Sequence, residues 1–312
     1  MKISDVLMCA GLAAFFLIAT AWLPFAGPFV SMLTPLPYLY YSTKLGFSNG
    51  VKITFLSTLI LTLLAFLAGY PQITLFAVEF GLLGLILSWL FFRKFSFSQT
   101  LFFATLCILF LGFGFFFYFA SSKHISLREM MLVHLDSQVK AVIMLYKEMG
   151  VPEEKIAEFD AYGKVFINAV LNIYPSLMVV GTGFIVWFNM VLAKPLFKMK
   201  KLDYPDFGPM DHWKAPDILV WGVILSGFTY FILSGSIKLF ALNALIIMMT
   251  VYFFHGLAII LFFLNKYHAP SWFRASVFFL IIIQQLFLIT SAAFGLFDQW
   301  IDFRKIHSKM DN

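Results

Sequence analysis

The sequence predicts an all-α fold, a polytopic bundle of about eight or nine transmembrane helices with an extracytoplasmic amphipathic helical insert. The first observation is composition, because 61% of the 312 residues are hydrophobic and only 12% are charged, about half the usual charged share. The second is the mean hydropathy of +0.89. A water-soluble fold of this length cannot enclose so many apolar side chains, so lipid must solvate most of them. The third is that the apolar residues form runs long enough to cross a bilayer.

The length of each run predicts where the chain crosses the membrane. A helix rises about 1.5 Å per residue, so roughly 20 apolar residues cross a hydrocarbon core of about 30 Å. A shorter run, Gly27–Ser42, contains Pro28, Pro35 and Pro37 and predicts a broken or partial span. Eight other runs fit the length: Val6–Phe25, Asn49–Gly69, Pro71–Phe92, Thr100–Ala120, Val165–Ala193, Asp217–Ser236, Leu239–Leu264 and Phe273–Phe297. Of these, Asp217–Ser236 and Leu239–Leu264 are so close in sequence that they predict a tight helical hairpin.

The positions of the basic residues predict which connections between the spans face the cytoplasm. If all nine segments cross from a cytoplasmic N-terminus, Lys and Arg residues collect on the cytoplasmic side, as the positive-inside rule requires. The exception is the C-terminus, where Arg304, Lys305 and Lys309 would lie outside, so a re-entrant segment and eight spans remain the alternative. The chain is predicted to be one integral membrane domain, 1–312. The basic residues on the cytoplasmic side are Lys2, Lys44, Arg93, Lys94, Lys194, Lys198, Lys200, Lys201, Lys214, Lys266 and Arg274.

Residues Ser121–Lys164 interrupt the apolar pattern with a mixture of acidic and basic side chains. Apolar residues recur there at steps of three and four, which indicates an amphipathic helix outside the bilayer. This helix is either a connector on the outer membrane surface or a lid over an outward-facing cavity. In the second case, Gly150-Val151-Pro152 separates it from a second short helix that begins near Glu153.

Several function classes lack their sequence signatures. The net charge of +6 comes from basic residues in short connections rather than from a basic face with interleaved aromatic residues, so no nucleic-acid partner is expected. The six histidines are scattered, and no His-Glu-x-x-His, Gly-x-Ser-x-Gly or phosphate-binding loop occurs. The sequence therefore predicts no catalytic residue, metal site or cofactor, and it weakens enzyme and ATPase interpretations.

Glu79 is the acidic residue that falls well inside an apolar run. A carboxylate at that depth is costly, which makes it a candidate ligand-binding residue. Gly81 and Gly84 follow it and allow a close approach by backbone or ligand. The functional interpretation is contact with a cation, a proton or a polar ligand. The structural interpretation is a hydrogen bond or an ion pair with Lys52 or another span.

Neutral polar residues mark the later spans. Asn168 and Asn172 lie four residues apart and share a helix face, and Pro175 is expected to free a backbone carbonyl near Leu171. These amides form either interhelical hydrogen bonds or ligand contacts. His255 is treated as a tentative ligand-binding residue, with a packed, hydrogen-bonded histidine as the alternative. Further polar residues of these spans are Asn189, Asn243, Gln284 and Gln285.

The C-terminal segment contains Asp298 and Asp302, which would share a helical face four residues apart. Their repulsion predicts a cation or a basic partner between them. The alternative is an interfacial anchor, with Trp300 at the headgroups and Arg304 on lipid phosphate or on the last carbonyls. Asp298, Asp302 and Arg304 are therefore tentative partner-contact residues.

Four segments carry a resemblance to a known family: Gly295-Leu296-Phe297-Asp298-Gln299-Trp300-Ile301-Asp302-Phe303-Arg304-Lys305, Tyr252-Phe253-Phe254-His255-Gly256-Leu257-Ala258, Pro35-Leu36-Pro37 leading to Gly46, and Glu79-Phe80-Gly81. Over nearly the whole chain, the sequence resembles the YybS-like family of bacterial multi-pass membrane proteins, a domain of unknown function. The resemblance implies location in the bacterial cytoplasmic (inner) membrane. At fold level the family is similar to the substrate-binding S components of energy-coupling-factor vitamin transporters.

The S-component similarity implies a partner-docking site. In those proteins an Ala-x-x-x-Ala pattern on an early helix docks a transmembrane coupling subunit, and Ala10 and Ala14 have this spacing. The chain departs from the pattern because it has more than six predicted spans and carries the Ser121–Lys164 insert.

Two functions follow as hypotheses. The first is a solute-binding membrane subunit or transporter in which Glu79, Asn168 and Asn172 contact a small polar molecule. The second is a non-transporting scaffold that binds partner proteins or anionic lipid through apolar faces and the basic Lys194–Lys214 segment. A polar cavity at Glu79 would favour the first, and a Glu79 ion pair in a closed core would favour the second.

Overall fold

The structure is a computed structural model that describes residues 1–23, 26–71, 73–122 and 124–304. Every regular element in these ranges is a helix, which confirms the all-α prediction. Phe25, Lys305 and Lys309 lie outside the described residues. Besides a short 3-10 helix, Met210–His212, the described helices are α1 Ile3–Trp22, α2 Gly27–Ser31, α3 Pro35–Leu45, α4 Phe47–Leu67, α5 Ile73–Phe92, α6 Phe97–Ser122, α7 Leu127–Glu148, α8 Glu153–Lys200, α9 Leu219–Ile232, α10 Gly235–Lys266, α11 Ser271–Ile283 and α12 Gln285–Ile301.

Six of the described helices are long and apolar enough to cross a bilayer: α1, α4, α5, α6, α8 and α10. The count rises to seven if α11 and α12 form a single bent span. This arrangement supports a membrane protein with several spans. The number is lower than the eight or nine predicted, because three of the predicted segments are short or broken helices.

The predicted span Asp217–Ser236 contains the 14-residue helix α9 and the first two residues of α10. Asp217 and Ile218 form a turn before α9, and Leu233 and Ser234 are in the extended conformation, so the helix does not extend over the whole run. At about 1.5 Å per residue, α9 is roughly 21 Å long and shorter than the hydrocarbon core. The predicted span included the extended residues because their apolar composition does not distinguish them from helical residues.

Phe273–Phe297 is likewise divided. Gln284 adopts an extended conformation between α11 and α12, and the chain bends by 102° from the first helix to the second. The proline-rich segment Gly27–Ser42, predicted to be broken, consists of the five-residue helix α2 and the helix α3. Prolines occupy the first turn of both helices, where the missing N–H costs no intrahelical hydrogen bond.

The amphipathic segment forms α7, which ends at Glu148 before Gly150. Gly150 has φ +73°, a conformation that glycine adopts without strain. The next helix begins at Glu153, as predicted, with two glutamates in its first turn that complement the helix dipole. This helix is not short, because α8 continues for 48 residues through the predicted span Val165–Ala193.

The described chain divides into two compact units. The first comprises residues 1–127 and 181–206. Its core forms between α1, α3, α4 and α5 around buried residues such as Cys9, Tyr38 and Ile53. Gly84 allows α5 to approach α3 closely, because a Cβ atom there would collide with Tyr38.

The second unit comprises residues 128–180 and the described residues from 207 onward. Its centre is α10, which packs against α9, α12 and the 3-10 helix. Gly256 and Gly295 allow α10 and α12 to approach at backbone distance, since a Cβ on either would collide with a carbonyl of the other helix. In the same unit, the Tyr146 and Phe159 rings pack α7 against the first part of α8.

Candidate functional site

Glu79 lies on α5 in the first unit and is half-buried. None of the described residues forms a hydrogen bond or an ion pair with its carboxylate, so the predicted ion pair with Lys52 is not present. The Oε1 atom faces α6 at Gly112, where an added Cβ atom would lie 3.7 Å away. The structure therefore places an unpartnered carboxylate in an apolar helix, next to a residue without a side chain.

The other faces of α5 explain why Glu79 is held in this position. A Cβ at Gly81 would press on Thr58 of α4, and one at Gly84 would press on Tyr38 of α3. These close approaches fix the rotation of α5, and the 3.6-residue period turns position 79 away from positions 81 and 84. A cleft of about 390 Å³ lies near the end of α6, but it is lined by residues from Phe113 to Leu127 and not by Glu79.

The asparagines predicted on α8 have different environments. Asn168 is exposed, and the backbone carbonyl of Asn172, rather than its amide, is the hydrogen-bonded group. Its partner is Asn243 of α10, whose Nδ2 donates to Asn172 at 2.8 Å and whose Oδ1 accepts from the backbone N–H of Ser176 at 2.9 Å. The bonded backbone groups lie on either side of Pro175, and the side chain that bonds them belongs to Asn243, which was predicted only as a polar residue of its span.

The second unit brings together three residues that the sequence analysis treated separately. His255 Nε2 lies 3.1 Å from Asp298 Oδ2 and 2.8 Å from Arg304 Nη2, and Arg304 Nη2 lies 3.0 Å from Asp298 Oδ2. All three side chains are at most 1% exposed. His255 is 11 residues before Lys266 on α10, about 16 Å along the helix axis, so the histidine of this cluster is well inside an apolar helix.

Local structure at the end of α12 explains how Arg304 reaches this position. Asp302 ends the helix in the left-handed conformation, with φ 44° and ψ 63°. The chain then turns back, and the N–H of Phe303 donates to Asp298 Oδ1 at 2.8 Å. Asp298 and Asp302 therefore do not share one helical face. Asp298 and Arg304 are buried inside their own unit, which leaves neither side chain exposed for a partner.

A match to a known protein family covers most of the chain. A family described as Predicted membrane protein (DUF2232) matches residues 11–299. The chain belongs to this family. The match includes Glu79, His255 and Asp298 of this DUF2232 protein and ends before Arg304. Comparison with curated proteins and with solved structures gives no match.

Arg304 also connects the cluster of this DUF2232 protein to the loop before α9. Its Nη1 donates to the carbonyl oxygens of Asp211 and Trp213 at 2.9 and 3.0 Å. The Trp213 ring packs edge-on against His255 with centroids 6.2 Å apart. Gln299 of α12 adds a hydrogen bond to the carbonyl of Ala215 at 3.2 Å. These contacts attach residues 211–215 to α10 and α12.

Asp211 extends the polar network away from the cluster. Its Oδ2 accepts a 2.7 Å hydrogen bond from Asn265, whose own Oδ1 accepts a 2.6 Å bond from Arg274. Burial opposes ionisation of Asp211, but hydrogen bonds from Asn265 and His212 outweigh it and lower the pKa of this carboxyl below its usual value. Asp211 and Asn265 were not predicted from the sequence, because neither falls on the apolar face of a predicted span.

The remaining predicted residues are distributed over the two units. Ala10 is buried and Ala14 half-buried in the core of the first unit, where α1 packs on α3 and α4. Asp302 is half-buried at the end of α12. Within the part of the chain that the structure describes, no group of three or more His, Cys, Asp or Glu residues is arranged to hold a metal ion.

Proposed function

We propose that this DUF2232 protein binds a small polar solute or a cation within the membrane and moves it across, with Glu79 as the contact residue. The observation that carries the proposal is the Glu79 carboxylate, which is half-buried in an apolar helix and has no partner among the described residues. An intramembrane carboxylate is expensive unless it is paired or neutralised. A proton, a cation or a polar solute supplies the missing partner.

The geometry around Glu79 supports this role. The carboxylate faces Gly112 of α6, a residue that contributes no side chain opposite it. The Gly81 and Gly84 faces of α5 are packed against α4 and α3. A rigid helix that presents one unpaired carboxylate towards a glycine meets the basic requirement for a binding residue, which is a polar group held by a packed scaffold.

The proposal includes a location and an orientation. The protein lies in the bacterial cytoplasmic membrane with its N-terminus inside. The α2–α3 pair and the short helix α9 cross together with the six long helices, which places α7 on the outer side and most connecting lysines and arginines inside. We propose that α11 and α12, bent at Gln284, form a re-entrant pair rather than a ninth crossing. Within the second unit, and independently of Glu79, Asn168, Asn172 and His255 remain candidate solute contacts. Ala10, Ala14 and Asp302 remain candidate contacts with a partner subunit of the S-component kind.

A thermal-shift screen tests the assignment of Glu79. The detergent-purified wild type, E79Q and E154Q are compared against monovalent and divalent cations, amino acids, nucleotides and vitamins. Glu154 is the matched control, since it is an exposed glutamate at the start of α8. A compound that binds only the folded protein raises its stability by RT ln(1 + [L]/Kd), about 2.7 kcal/mol at 100 times Kd.

We expect at least one compound to stabilise the wild type and E154Q but not E79Q. Without ligand, E79Q should be at least as stable as the wild type, because glutamine removes the cost of an unpaired buried charge. If no compound stabilises the wild type and E79Q is destabilised, Glu79 is structural. The scaffold hypothesis, binding of partner proteins or anionic lipid through the Lys194–Lys214 segment, then becomes the better interpretation.

A further inference from the structure

The buried cluster of the second unit presents His255 with two competing partners. Arg304 Nη2 and Asp298 Oδ2 both lie within hydrogen-bond distance of the same imidazole atom, Nε2. A guanidinium group only donates, so the contact with Arg304 requires a lone pair on Nε2. A carboxylate only accepts, so the contact with Asp298 requires a proton on Nε2. A neutral imidazole makes one of these two hydrogen bonds at a time.

The other ring nitrogen, Nδ1, does not determine whether Nε2 bonds to Asp298 or to Arg304. His255 Nδ1 is fully buried and has no hydrogen-bond partner. A buried histidine with a structural role is usually fixed in one tautomer by a partner on its other nitrogen. Arg304 Nε is also buried without a partner, although more than nine in ten buried polar groups are satisfied. One nitrogen of His255 and one nitrogen of Arg304 therefore have no hydrogen-bond partner in the cluster.

From this arrangement we infer that His255 is a proton-binding site, and that the bound proton displaces Arg304 and releases the loop of residues 207–217. Protonation gives an imidazolium with N–H groups at both ring positions. Nε2–H then donates to Asp298, and the Arg304 guanidinium faces a second cation at 2.8 Å. Like charges at this distance in a buried site repel strongly. The Asp298 carboxylate, which also accepts from Arg304 at 3.0 Å, compensates only one of the two positive charges, so the bound proton takes this carboxylate and Arg304 is displaced.

The departure of Arg304 has a defined structural consequence. The same guanidinium holds the carbonyl oxygens of Asp211 and Trp213, and these bonds are lost with it. The hydrogen bonds from Gln299 to Ala215 and from Asn265 to Asp211, and the ring contact between Trp213 and His255, remain among the attachments of the loop. Proton binding at one buried histidine thus loosens a loop that covers α10. This inference does not depend on Glu79, which lies in the other unit.

The charged and titratable groups around His255 support this assignment. Asp298 faces it from α12, Arg304 from the turn after α12, and Tyr252 from the preceding turn of α10. The loop contributes Asp211, which reaches Arg304 through its backbone, and His212, which pairs with Asp211 and is 47% exposed. Among these side-chain types, only the imidazole group changes charge between about pH 8 and pH 5 in model peptides.

Hydrogen–deuterium exchange of the full-length protein in detergent tests the inference. Protection of residues 207–217 is measured between pH 8 and pH 5.5, with rates corrected for intrinsic exchange, and α3 serves as an internal reference. In the wild type we expect protection of the loop to fall about tenfold or more at the lower pH, a factor that corresponds to about 1.4 kcal/mol. Equal protection of the wild-type loop at both pH values overturns the proposal without any variant.

Two histidine variants locate the proton. Glutamine at position 255 can still hydrogen bond with Asp298 or Arg304 but does not titrate, so H255Q should keep the loop protected at both pH values. H212Q changes the exposed histidine of the same loop and should retain the wild-type response. Loss of the response in H212Q but not in H255Q contradicts the proposal. If H255Q fails to fold, R304Q substitutes, because it should leave the loop poorly protected at both pH values.

Discussion

The side-chain amide of Asn243 on α10 accepts a hydrogen bond from the backbone N–H of Ser176 on α8 at 2.9 Å. The same amide donates to the carbonyl of Asn172 at 2.8 Å. In a regular helix this N–H and this carbonyl, four residues apart, bond to each other. Pro175 lies between them and cannot donate a hydrogen bond. Asn243 thus supports α8 at the point where its own hydrogen bonding is weakened.

Replacing Asn243 with leucine should destabilise the protein by about 1–3 kcal/mol, because it leaves a buried backbone donor and acceptor with weaker partners. The unfolding free energy, or the thermal midpoint in detergent, measures the effect. N168L is the matched control, since Asn168 lies on the same helix as Asn172 but is exposed. Equal effects of the two substitutions would show that the bridge does not stabilise α8.

Some elements were predictable because a local property decides them. α1, α4, α5, α6 and α10 follow from apolar length, and the break before Glu153 follows from Gly150 and Pro152. α9 and the bend at Gln284 did not follow, because extended residues at Leu233, Ser234 and Gln284 are as compatible with an apolar run as helical ones. Hydropathy measures composition and does not detect such breaks.

The candidate site was predictable only as separate residues. His255, Asp298 and Arg304 were each selected, but regular helical geometry paired Asp298 with Asp302. The left-handed conformation of Asp302 changes this pairing and returns Arg304 to His255. The loop carbonyls that hold Arg304 belong to the backbone, so residue types do not reveal them. Glu79 was found directly, since a carboxylate in an apolar run is visible in the sequence.

The close packing of α10 and α12 gives a second prediction. A Cβ at Gly256 would collide with Ser291, and one at Gly295 would collide with Tyr252. G256A and G295A should each destabilise the protein by about 1–3 kcal/mol through overpacking. G227A on α9 is the control, because nothing lies within 4 Å of the added methyl group. It should be neutral or stabilise the helix by about 0.5–1 kcal/mol, and destabilisation as large as that of G256A would contradict the packing argument.

The Asp298–Arg304 ion pair gives a third prediction. Removing one partner leaves the other buried without an opposite charge, so D298N and R304Q should each cost about 3–5 kcal/mol. The double variant should cost less than the sum, because it removes both charges. The exposed pair Asp136–Lys140, 2.6 Å apart on α7, is the control for the double-mutant cycle and should show a coupling of only about 0.3–0.5 kcal/mol. Additive effects at Asp298 and Arg304 would mean that the two charges do not stabilise each other.

The lowered pKa of Asp211 predicts that the stability of the folded protein also depends on pH in the acidic range. Its hydrogen bonds from Asn265 and His212 outweigh the effect of burial and lower its pKa. A carboxyl whose pKa is lower in the folded state contributes stability above its unfolded pKa of about 3.9. That contribution disappears as the pH falls through the folded-state pKa.

D211N should therefore be less stable than the wild type at pH 7, and the difference should shrink as the pH falls below about 4. Because Asp211 is partly exposed, the effect should not exceed about 1 kcal/mol. Unfolding free energies of the wild type and D211N between pH 3 and pH 7 measure it, with E154Q as an exposed control. A difference that first changes between pH 5 and pH 8 would assign the response to a histidine, because an aspartate with a lowered pKa stays ionised throughout that range.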